Sequence, residues 1–270
     1  MTATDPIQLV AEVVSVKRVG ALRQLTLTAP GLPERFRPGN VVSIALPGGT
    51  SLARRSYWIH KVSPVGPRGA NLELIVEPQG TSGSWLGGVE PGARIDLIGP
   101  LGRPFAQPRD PVTCLLVGEG VDAAALIPLA ERLRERGCVV HVLLTAATES
   151  ELAGVLDVRR YARAVHVATR DGSLGATGGI ADVLGDLLTR TEADVVYAAG
   201  PPAAMHQVAR LAEDAGVWSQ VGVRVDQPCG TGLCNGCPVP VAGEDGAARV
   251  VRACIEGPIF RGDRVRWAEL

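Results

Sequence analysis

Hydrophobic and polar positions alternate over short runs in the first hundred residues of the chain. Six runs rich in Val, Leu and Ile, separated by turns containing Pro and Gly, have the length and period of strands: Gln8–Val16, Ala21–Thr28, Val41–Leu46, Arg55–Val62, Asn71–Glu77 and Arg94–Ile98. Short strands at this spacing are typical of small antiparallel barrels. The pattern therefore predicts a six-stranded antiparallel barrel within residues 1–108.

Beyond Pro111 apolar strands alternate with helical patterns. The predicted strands are Val112–Val117, Cys138–Thr145, Ala164–Ala168, Asp194–Ala199 and Gly222–Val225, and the predicted helices are Asp122–Arg136, Ser150–Leu156, Gly179–Leu188 and Pro202–Ala215. This alternation predicts a doubly wound parallel sheet with helices on both faces, over residues 109–226. Residues 227–270 are rich in Cys, Gly and Pro and form a third segment, with a hairpin expected within Pro238–Val251.

Composition narrows the class of protein. Hydrophobic residues make up 46% of the 270 positions, which is enough for a substantial core and excludes a disordered chain. The net charge of −1 argues against nucleic acid as a partner. We expect a cytoplasmic protein without a membrane partner, because the N-terminus lacks the pattern of a secretory signal and no apolar run is long enough to span a bilayer.

Four of the six cysteines crowd the last fifth of the chain. Cys229, Cys234, Cys237 and Cys254 have the spacing C-x4-C-x2-C…C, which is the plant-type ligand pattern of a [2Fe–2S] cluster. Gly230, Gly232 and Gly236 would allow the tight, left-handed backbone that a loop around a cluster needs. The alternatives are a zinc site, which usually shows paired C-x2-C elements, or four buried thiols. Cys114 and Cys138 lie on predicted strands, where inert core thiols are expected.

A second candidate site lies in the barrel half. Arg55, Ser56, Tyr57 and Trp58 are followed about 20 residues later by a Gly/Ser/Thr-rich run over 80–86. Arginine pairs with pyrophosphate, tyrosine covers a ring face, and a polar loop at a helix start offers donors to phosphate. Each signal alone also fits an ordinary barrel strand and an ordinary turn.

In combination these motifs resemble the ferredoxin–NADP reductase superfamily. Its flavin strand reads Arg-x-Tyr-Ser, matched by Arg55 and Tyr57 with Trp58 in the serine position, and its phosphate loop is matched by Gly80–Leu86. The resemblance implies bound FAD. The residues that it would place at the flavin are Arg55, Ser56, Tyr57, Trp58, Leu74, Ile75, Val76, Gly80, Thr81, Ser82, Gly83 and Ser84. The family serine is expected to bond near the reactive nitrogen of the flavin, where an indole cannot accept a hydrogen bond.

The terminal cysteine motif narrows this resemblance to the electron-transfer subunits of class 1B dihydroorotate dehydrogenases. Four further segments are similar to that family: Gly99–Phe105, Asp171–Gly175, Tyr197–Met205 and Cys254–Phe260. The resemblance implies an oxidoreductase subunit of pyrimidine biosynthesis that carries FAD and a [2Fe–2S] cluster. Its partner would be a catalytic flavoprotein dehydrogenase subunit in a hetero-oligomer.

The nucleotide loop departs from the family pattern Gly-Gly-Gly-Ile-Gly. Glu119 and Asp122 replace two of its glycines, and carboxylates there would repel the phosphates of a dinucleotide. Asp122 can be interpreted as the N-cap of the following helix, whereas Glu119 has no such explanation. Ala199 also replaces the cysteine expected beside the nicotinamide. The NAD(P)-binding residues implied by the resemblance are Gly118, Gly120, Asp171, Gly200, Pro201 and Met205.

Two functions therefore stay open. In the first, the chain passes electrons between NAD(P)H and a partner flavoprotein dehydrogenase. In the second, the pyridine-nucleotide site is weakened or lost, and the chain relays electrons only between its own cofactors and partner proteins. The four scattered histidines form no catalytic constellation with Ser, Cys or Asp that the sequence reveals, so no catalytic residue is predicted.

Overall fold

A computed structural model describes residues 5–47, 53–66 and 68–270. The first part of the chain is a curled antiparallel sheet whose strands run in the order β4-β3-β7-β1-β2-β6-β5. These strands are β1 (Ile7–Val19), β2 (Leu22–Thr28), β3 (Val41–Ile44), β4 (Arg55–Trp58), β5 (Lys61–Ser63), β6 (Asn71–Val76) and β7 (Arg94–Leu101). Inward-facing Val, Leu and Ile side chains of both halves of the sheet fill its interior.

The barrel has seven strands where the pattern predicts six. The predicted strand over 55–62 is two strands, because the chain changes partner after Trp58. β4 pairs with β3, whereas β5 pairs with β6, and the N–H of His60 already donates to the carbonyl of Glu73. The apolar run continues through this change of direction, so hydrophobic pattern alone does not reveal it.

A short helix, α1 (Gly80–Gly87), closes the first part of the chain between β6 and β7. It folds tightly against the end of β6. A Cβ at Gly83 would lie 2.3 Å from the carbonyl oxygen of Glu77, so only glycine fits this approach.

The remaining strands are β8 (Thr113–Glu119), β9 (Val139–Ala146), β10 (Ala164–Thr169), β11 (Ala176–Thr177), β12 (Val195–Gly200), β13 (Trp218–Val223), β14 (Pro238–Ala242), β15 (Ala248–Arg252) and β16 (Ile259–Arg261). The helices are α2 (Ile127–Glu135), α3 (Val155–Val158), α4 (Ile180–Thr191) and α5 (Pro202–Asp214). Single 3-10 turns or helices cover Gly120–Leu126, Glu149–Glu151, Gly262–Arg264 and Trp267–Glu269.

The second sheet has the order β11-β10-β9-β8-β12-β13-β16, and all its pairs are parallel except that of β13 with β16. Apolar cores cover both of its faces, which explains why β12 is buried along its whole length. The strand order reverses between β8 and β12. The two-sheet architecture predicted from the sequence is therefore confirmed.

Three predicted elements of this sheet differ in detail. The helix predicted over 122–136 is a 3-10 helix, Gly120–Leu126, followed by α2. The helix predicted over 150–156 is only a 3-10 turn and the four-residue α3. The last predicted strand, 222–225, lies earlier, as β13, because Trp218 and Ser219 continue the pairing with β12.

The C-terminal segment contains the predicted hairpin, formed by β14 and β15, and then returns to both larger sheets. β16 adds an antiparallel strand beside β13, and the N–H of Arg103 donates to the carbonyl of Gly257 at 2.6 Å. The segment is thus held against the end of β7 and against the α/β sheet. No helix in the described part of the chain is long and apolar enough to cross a bilayer.

Candidate functional site

A cleft of about 200 Å³ separates the antiparallel sheet from the α/β sheet. Its walls come from β4, the end of β6, α1, the turn after β8 and the end of β13. The residues that line it are Val41, Arg55, Ser56, Tyr57, Trp58, Ile75, Val76, Glu77, Gln79, Ser82, Gly83, Val121, Asp122, Val223, Arg224, Val225, Gln227 and Pro258.

Most residues predicted at a flavin lie together in this cleft. They are Arg55, Ser56, Tyr57, Trp58, Ile75, Val76, Ser82 and Gly83. The other four, Leu74, Gly80, Thr81 and Ser84, are not among its lining residues. Leu74 belongs to the barrel core and is fully buried.

The cleft offers the donors that an anionic dinucleotide needs. Arg55 supplies a guanidinium, and Ser82 lies in the first turn of α1, whose N-terminus has no side-chain cap. Burial raises the pKa of Tyr57, although a hydrogen bond with Ser82 acts in the opposite direction. Tyr57 therefore stays a neutral phenol whose ring is available to cover an apolar ligand face.

Trp58 and Asp122 meet in the middle of the cleft. The indole N–H of Trp58 donates to Oδ1 of Asp122 at 2.8 Å, and Nη1 of Arg224 lies 3.2 Å from Oδ2 of the same carboxyl. Asp122 is 2% exposed. Burial raises its pKa to about 6, against the opposing influence of Arg224 and Trp58.

The interpretation of Asp122 as an N-cap is wrong. The residue lies inside the 3-10 helix that starts at Gly120, and neither that helix nor α2 has a side-chain cap. Its carboxyl instead accepts the hydrogen bond from Trp58, on β4. The partners of this carboxyl are 64 and 102 positions away in the sequence, so local pattern could not reveal them.

Glu119 also has a partner inside the protein. It pairs with Arg170, just after β10, beside a second cavity of about 290 Å³. That cavity is lined by Glu119, Arg170, Gly178, Gly179, Ile180, Ala181, Asp182 and Gln207. Two carboxylates and one guanidinium give this lining a net negative charge, which does not favour phosphate.

The residues predicted for NAD(P) line neither cavity. Gly200 ends β12, Gly118 is the second-last residue of the neighbouring β8, and the N-terminal turn of α5 follows Pro201. Met205 is fully buried beneath Gly200, where a Cβ would lie 2.8 Å from the Met205 Cε. Asp171 accepts hydrogen bonds from the backbone and the hydroxyl of Ser173, and these bonds lower its pKa. Gly120 has a left-handed φ of +58°.

The four C-terminal cysteines lie as two pairs. The Sγ atoms of Cys237 and Cys254 are 3.4 Å apart, and both residues are buried. The Cys229 thiol interacts with Cys234, which is exposed at the tip of the loop. Each iron of a [2Fe–2S] cluster takes two thiolates, so two adjacent pairs fit such a cluster.

Backbone N–H groups point at two of these sulfurs. The N–H of Thr231 donates to Cys229 Sγ at 3.4 Å, and that of Gly236 donates to Cys234 Sγ at 3.3 Å. Burial alone would raise the pKa of Cys229, but hydrogen bonds from Cys234 and Thr231 lower it to about 6. Burial and the neighbouring Cys237 raise the pKa of Cys254 to about 12.

The loop uses its glycines differently from the prediction. Gly230 and Gly232 are left-handed, with φ of +69° and +82°, but Gly236 is not; Asn235 is left-handed instead, with φ of +53°. Gly236 serves close packing, since a Cβ there would lie 3.1 Å from the Pro228 ring and 3.3 Å from Cys234 Sγ.

Across the described ranges, no three His, Cys, Asp or Glu side chains converge in the way that a single metal ion requires. A structural zinc site needs four ligands around one point. The two cysteine pairs fit a cluster with two thiolates on each iron better than they fit a single zinc ion. Cys114 and Cys138 are buried apart from this loop, as expected of core thiols.

The cysteine loop and the cleft are directly connected. The Ser56 hydroxyl donates to Oε1 of Gln227 at 3.1 Å, and the N–H of Arg54 donates to the carbonyl of Pro228 at 2.7 Å. Gln227 is 4% exposed and lines the cleft, two residues before Cys229.

Gln227 and Arg224 carry no motif, so sequence reasoning missed them. The one signal available was the rule that ligands bind at the carboxyl ends of parallel strands, which points to the residues after β13.

Comparisons with known proteins agree with this arrangement. Residues 228–266 match the model of the iron–sulfur cluster binding domain of dihydroorotate dehydrogenase B. The chain is 30% identical over 241 residues to the dihydroorotate dehydrogenase B (NAD(+)) electron transfer subunit of Desulforamulus reducens, covering 88% of this chain and 90% of that one. It is 31% identical over 243 residues to a homolog of that subunit from Thermotoga maritima, covering 90% and 82%.

Solved structures show the same relationship. One of them is a chain of the NADH-dependent reduced ferredoxin–NADP oxidoreductase, a structure described in connection with flavin-based electron bifurcation. It superposes with a TM-score of 0.84 at 28% identity, and the match covers 97% of this chain and 91% of that chain. The ferredoxin reductase of carbazole 1,9a-dioxygenase superposes with a TM-score of 0.66 at 25% identity, covering 78% and 67%. The chain belongs to the family of dihydroorotate dehydrogenase B electron transfer subunits.

Proposed function

We propose that this chain is the electron-transfer subunit of a hetero-oligomeric oxidoreductase. It would carry FAD in the cleft and a [2Fe–2S] cluster in the cysteine loop, and would pass electrons between NAD(P)H and a partner flavoprotein dehydrogenase of the dihydroorotate class. The observation that carries this proposal is the direct link between the two sites, through Ser56, Gln227 and the Cys229 loop.

The cysteine pairs would hold the cluster. Cys229 and Cys234 would bind one iron, and Cys237 and Cys254 the other. The N–H groups of Thr231 and Gly236 already donate to sulfur, and hydrogen bonds of this kind stabilise negative charge on a cluster and raise its potential. The exposure of Cys234 leaves one edge of the loop open to a partner protein.

The cleft would hold FAD through the residues of β4, β6 and α1. Arg55 and the uncapped start of α1 would neutralise the diphosphate, and Tyr57 would cover a face of the ring system. When bound, the flavin supplies the ability to take up two electrons together and release them one at a time. The side chains of this chain position that chemistry and exclude water from it.

The assignment of NAD(P)H rests on the family and on the strand ends at Gly118 and Gly200. Gly120, Asp171, Pro201 and Met205 complete the set that we propose around the nucleotide. The second candidate function, an electron relay without a pyridine nucleotide, is favoured by one observation. Both carboxylates of the nucleotide loop have arginine partners inside the protein.

We propose domain boundaries at 1–108, 109–226 and 227–270. The first boundary is supported by the change of sheet between β7 and β8. The third segment is not an independent body, since β16 completes the α/β sheet.

An anaerobic titration of the purified holoprotein with NADH or NADPH tests the choice between the two functions. Bleaching of the flavin absorption band, followed by reduction of the cluster, would support the first. Reduction by dithionite but by neither nucleotide, even at concentrations about a hundredfold above the protein, would support the second.

A further inference from the structure

The cleft has two halves that meet at one indole ring. On one side lie Arg55, Tyr57 and Ser82 of the antiparallel sheet and α1. On the other lie Val121 and Asp122, in the turn after β8, and residues 223–225, at the end of β13. β8 is one of the two strands between which the strand order reverses, and open α/β sheets bind their ligands at such a point.

Trp58 lies at the junction and fills it. A Cβ at Gly222, in β13, would lie 3.1 Å from Cη2 and 3.2 Å from Cζ2 of the indole, so the ring reaches across the cleft onto the second sheet. Only 9% of the residue is exposed. Gly222 is therefore required to make room for the ring.

The indole is also held in place by polar contacts. Asp122 accepts its N–H at 2.8 Å and is itself paired with Arg224, at the carboxyl end of β13. The three residues come from β4, from the 3-10 helix after β8 and from the turn after β13. The Trp58–Asp122–Arg224 contact thus joins the barrel to the α/β sheet at the point where the two halves of the cleft meet.

We propose that Trp58 is a gate between the two halves of the cleft, that Asp122 and Arg224 hold it closed, and that a nicotinamide reaches the flavin only when the indole moves aside. This inference rests on the proposed function. Hydride transfer needs direct contact between the donor ring and the acceptor ring, because a hydride moves as one proton with two electrons from NADH, which becomes NAD⁺. An aromatic side chain between the rings prevents that contact.

The gate would make this subunit selective for its electron source. When Trp58 is in the closed position, electrons can still enter or leave one at a time through the connection from Gln227 to Cys229. This connection reaches the cleft at Ser56, whose hydroxyl donates to Gln227. Direct reduction by NAD(P)H would be slow until the Trp58–Asp122 contact opens. Trp58 is therefore a specificity-determining residue, and Asp122 is a positioning residue that acts through it.

The test compares anaerobic stopped-flow reduction of the wild-type holoprotein by NADH with that of Trp58→Ser and Asp122→Ala variants. We expect the flavin of W58S to be reduced at least about tenfold faster than that of the wild type, and that of D122A to be reduced at an intermediate rate. The double variant should react no faster than W58S alone, because Asp122 acts only through Trp58.

Two controls separate gating from structural damage. Trp218→Ser removes a half-exposed tryptophan of β13, outside the cleft, and should leave the NADH rate unchanged. Dithionite, which transfers single electrons, should reduce the wild type and all variants at the same rate within about twofold.

Equal NADH rates for the wild type and W58S, in proteins that contain flavin, would overturn the gate and leave the proposed function standing. A rise in the dithionite rate that matches the rise in the NADH rate would also overturn it, because such a change reports a loosened cleft. A visible spectrum without flavin in the wild-type protein would contradict the proposed function and remove the gate with it.

Discussion

Asp122 is an ionisable carboxyl enclosed by protein, and its surroundings change the pH dependence of stability. Burial raises its pKa from an ordinary value near 3.8 to about 6, while the unfolded chain keeps the ordinary value. The folded protein therefore binds the proton more tightly, so the stabilisation that this group contributes is complete below about pH 4 and is lost as the pH rises through 6.

We predict that the free energy of unfolding of the wild type falls relative to that of Asp122→Asn between about pH 5 and about pH 7, by about 1 kcal/mol. Asparagine keeps an acceptor for the Trp58 N–H and does not titrate. Urea unfolding of both proteins at each pH measures the difference. A difference that is constant with pH, or that grows in the opposite direction, would show that Asp122 is charged at all these pH values.

Cys254 provides a second test at the scale of one residue. We predict that Cys254→Ser abolishes most of the bound iron and acid-labile sulfide, because one iron loses half of its protein ligands. Cys138→Ser is the matched control, since Cys138 is also buried but lies apart from the loop. Retention of a full cluster by C254S, measured by iron content and electron paramagnetic resonance, would exclude Cys254 as a ligand.

Single residues also show how far sequence reasoning reaches. Cysteine spacing is a local signal, and it predicts that Cys229, Cys234, Cys237 and Cys254 belong to one site. The approach of Cys237 to Cys254 is seen only in the structure. The partner of Asp122 is not local: Trp58 lies 64 positions earlier, on another sheet. A lone Asp before a helix looks like a cap, and only the packing of the two sheets shows that its carboxyl is needed elsewhere.

At the scale of elements, the cysteine loop depends on the shape of its backbone. Gly232 has a φ of +82°, and a Cβ there would lie 2.8 Å from the Ile255 side chain, next to Cys254. Gly246, in the turn between β14 and β15, has a similar φ of +76° but no atom within 4 Å of such a Cβ. Substitution of Gly246 would therefore introduce backbone strain alone, whereas substitution of Gly232 would introduce strain and a clash with Ile255.

We predict that Gly232→Ala lowers the cluster content to less than about half, whereas Gly246→Ala costs only the ordinary strain of about 1–2 kcal/mol and keeps the cluster. Iron analysis and thermal unfolding of both variants measure the two effects. Equal cluster content in G232A and G246A would mean that the loop tolerates a shift of Ile255, and the proposed tight fit around the cluster would be wrong.

Element boundaries were predictable where pattern and pairing agree, as for β9, β10 and β12. They were not predictable where the chain changes partner without interrupting its apolar run. The division of the fourth predicted strand into β4 and β5 follows from pairing with two different neighbours. The early start of β13 has the same cause, because β12 supplies a partner for polar Ser219 and Gln220.

The whole molecule places its two candidate sites on opposite sides of one short connection. Ser56 belongs to the cleft, Gln227 bridges, and Cys229 begins the cysteine loop. The sequence predicts both the flavin motif and the cysteine motif. It does not predict that they are connected, because the connection depends on the third segment folding back against the two sheets. That return is produced by β16 and by the contact of Gly257 with Arg103.

We propose that one chain holds a flavin and a two-iron cluster side by side, and the cofactor content of the purified protein tests this proposal most directly. Flavin, iron, acid-labile sulfide and zinc are quantified in the same anaerobic sample. We expect about one FAD, two iron and two sulfide per chain, with a rhombic paramagnetic signal after reduction. About one zinc per chain, with neither flavin nor sulfide, would contradict it.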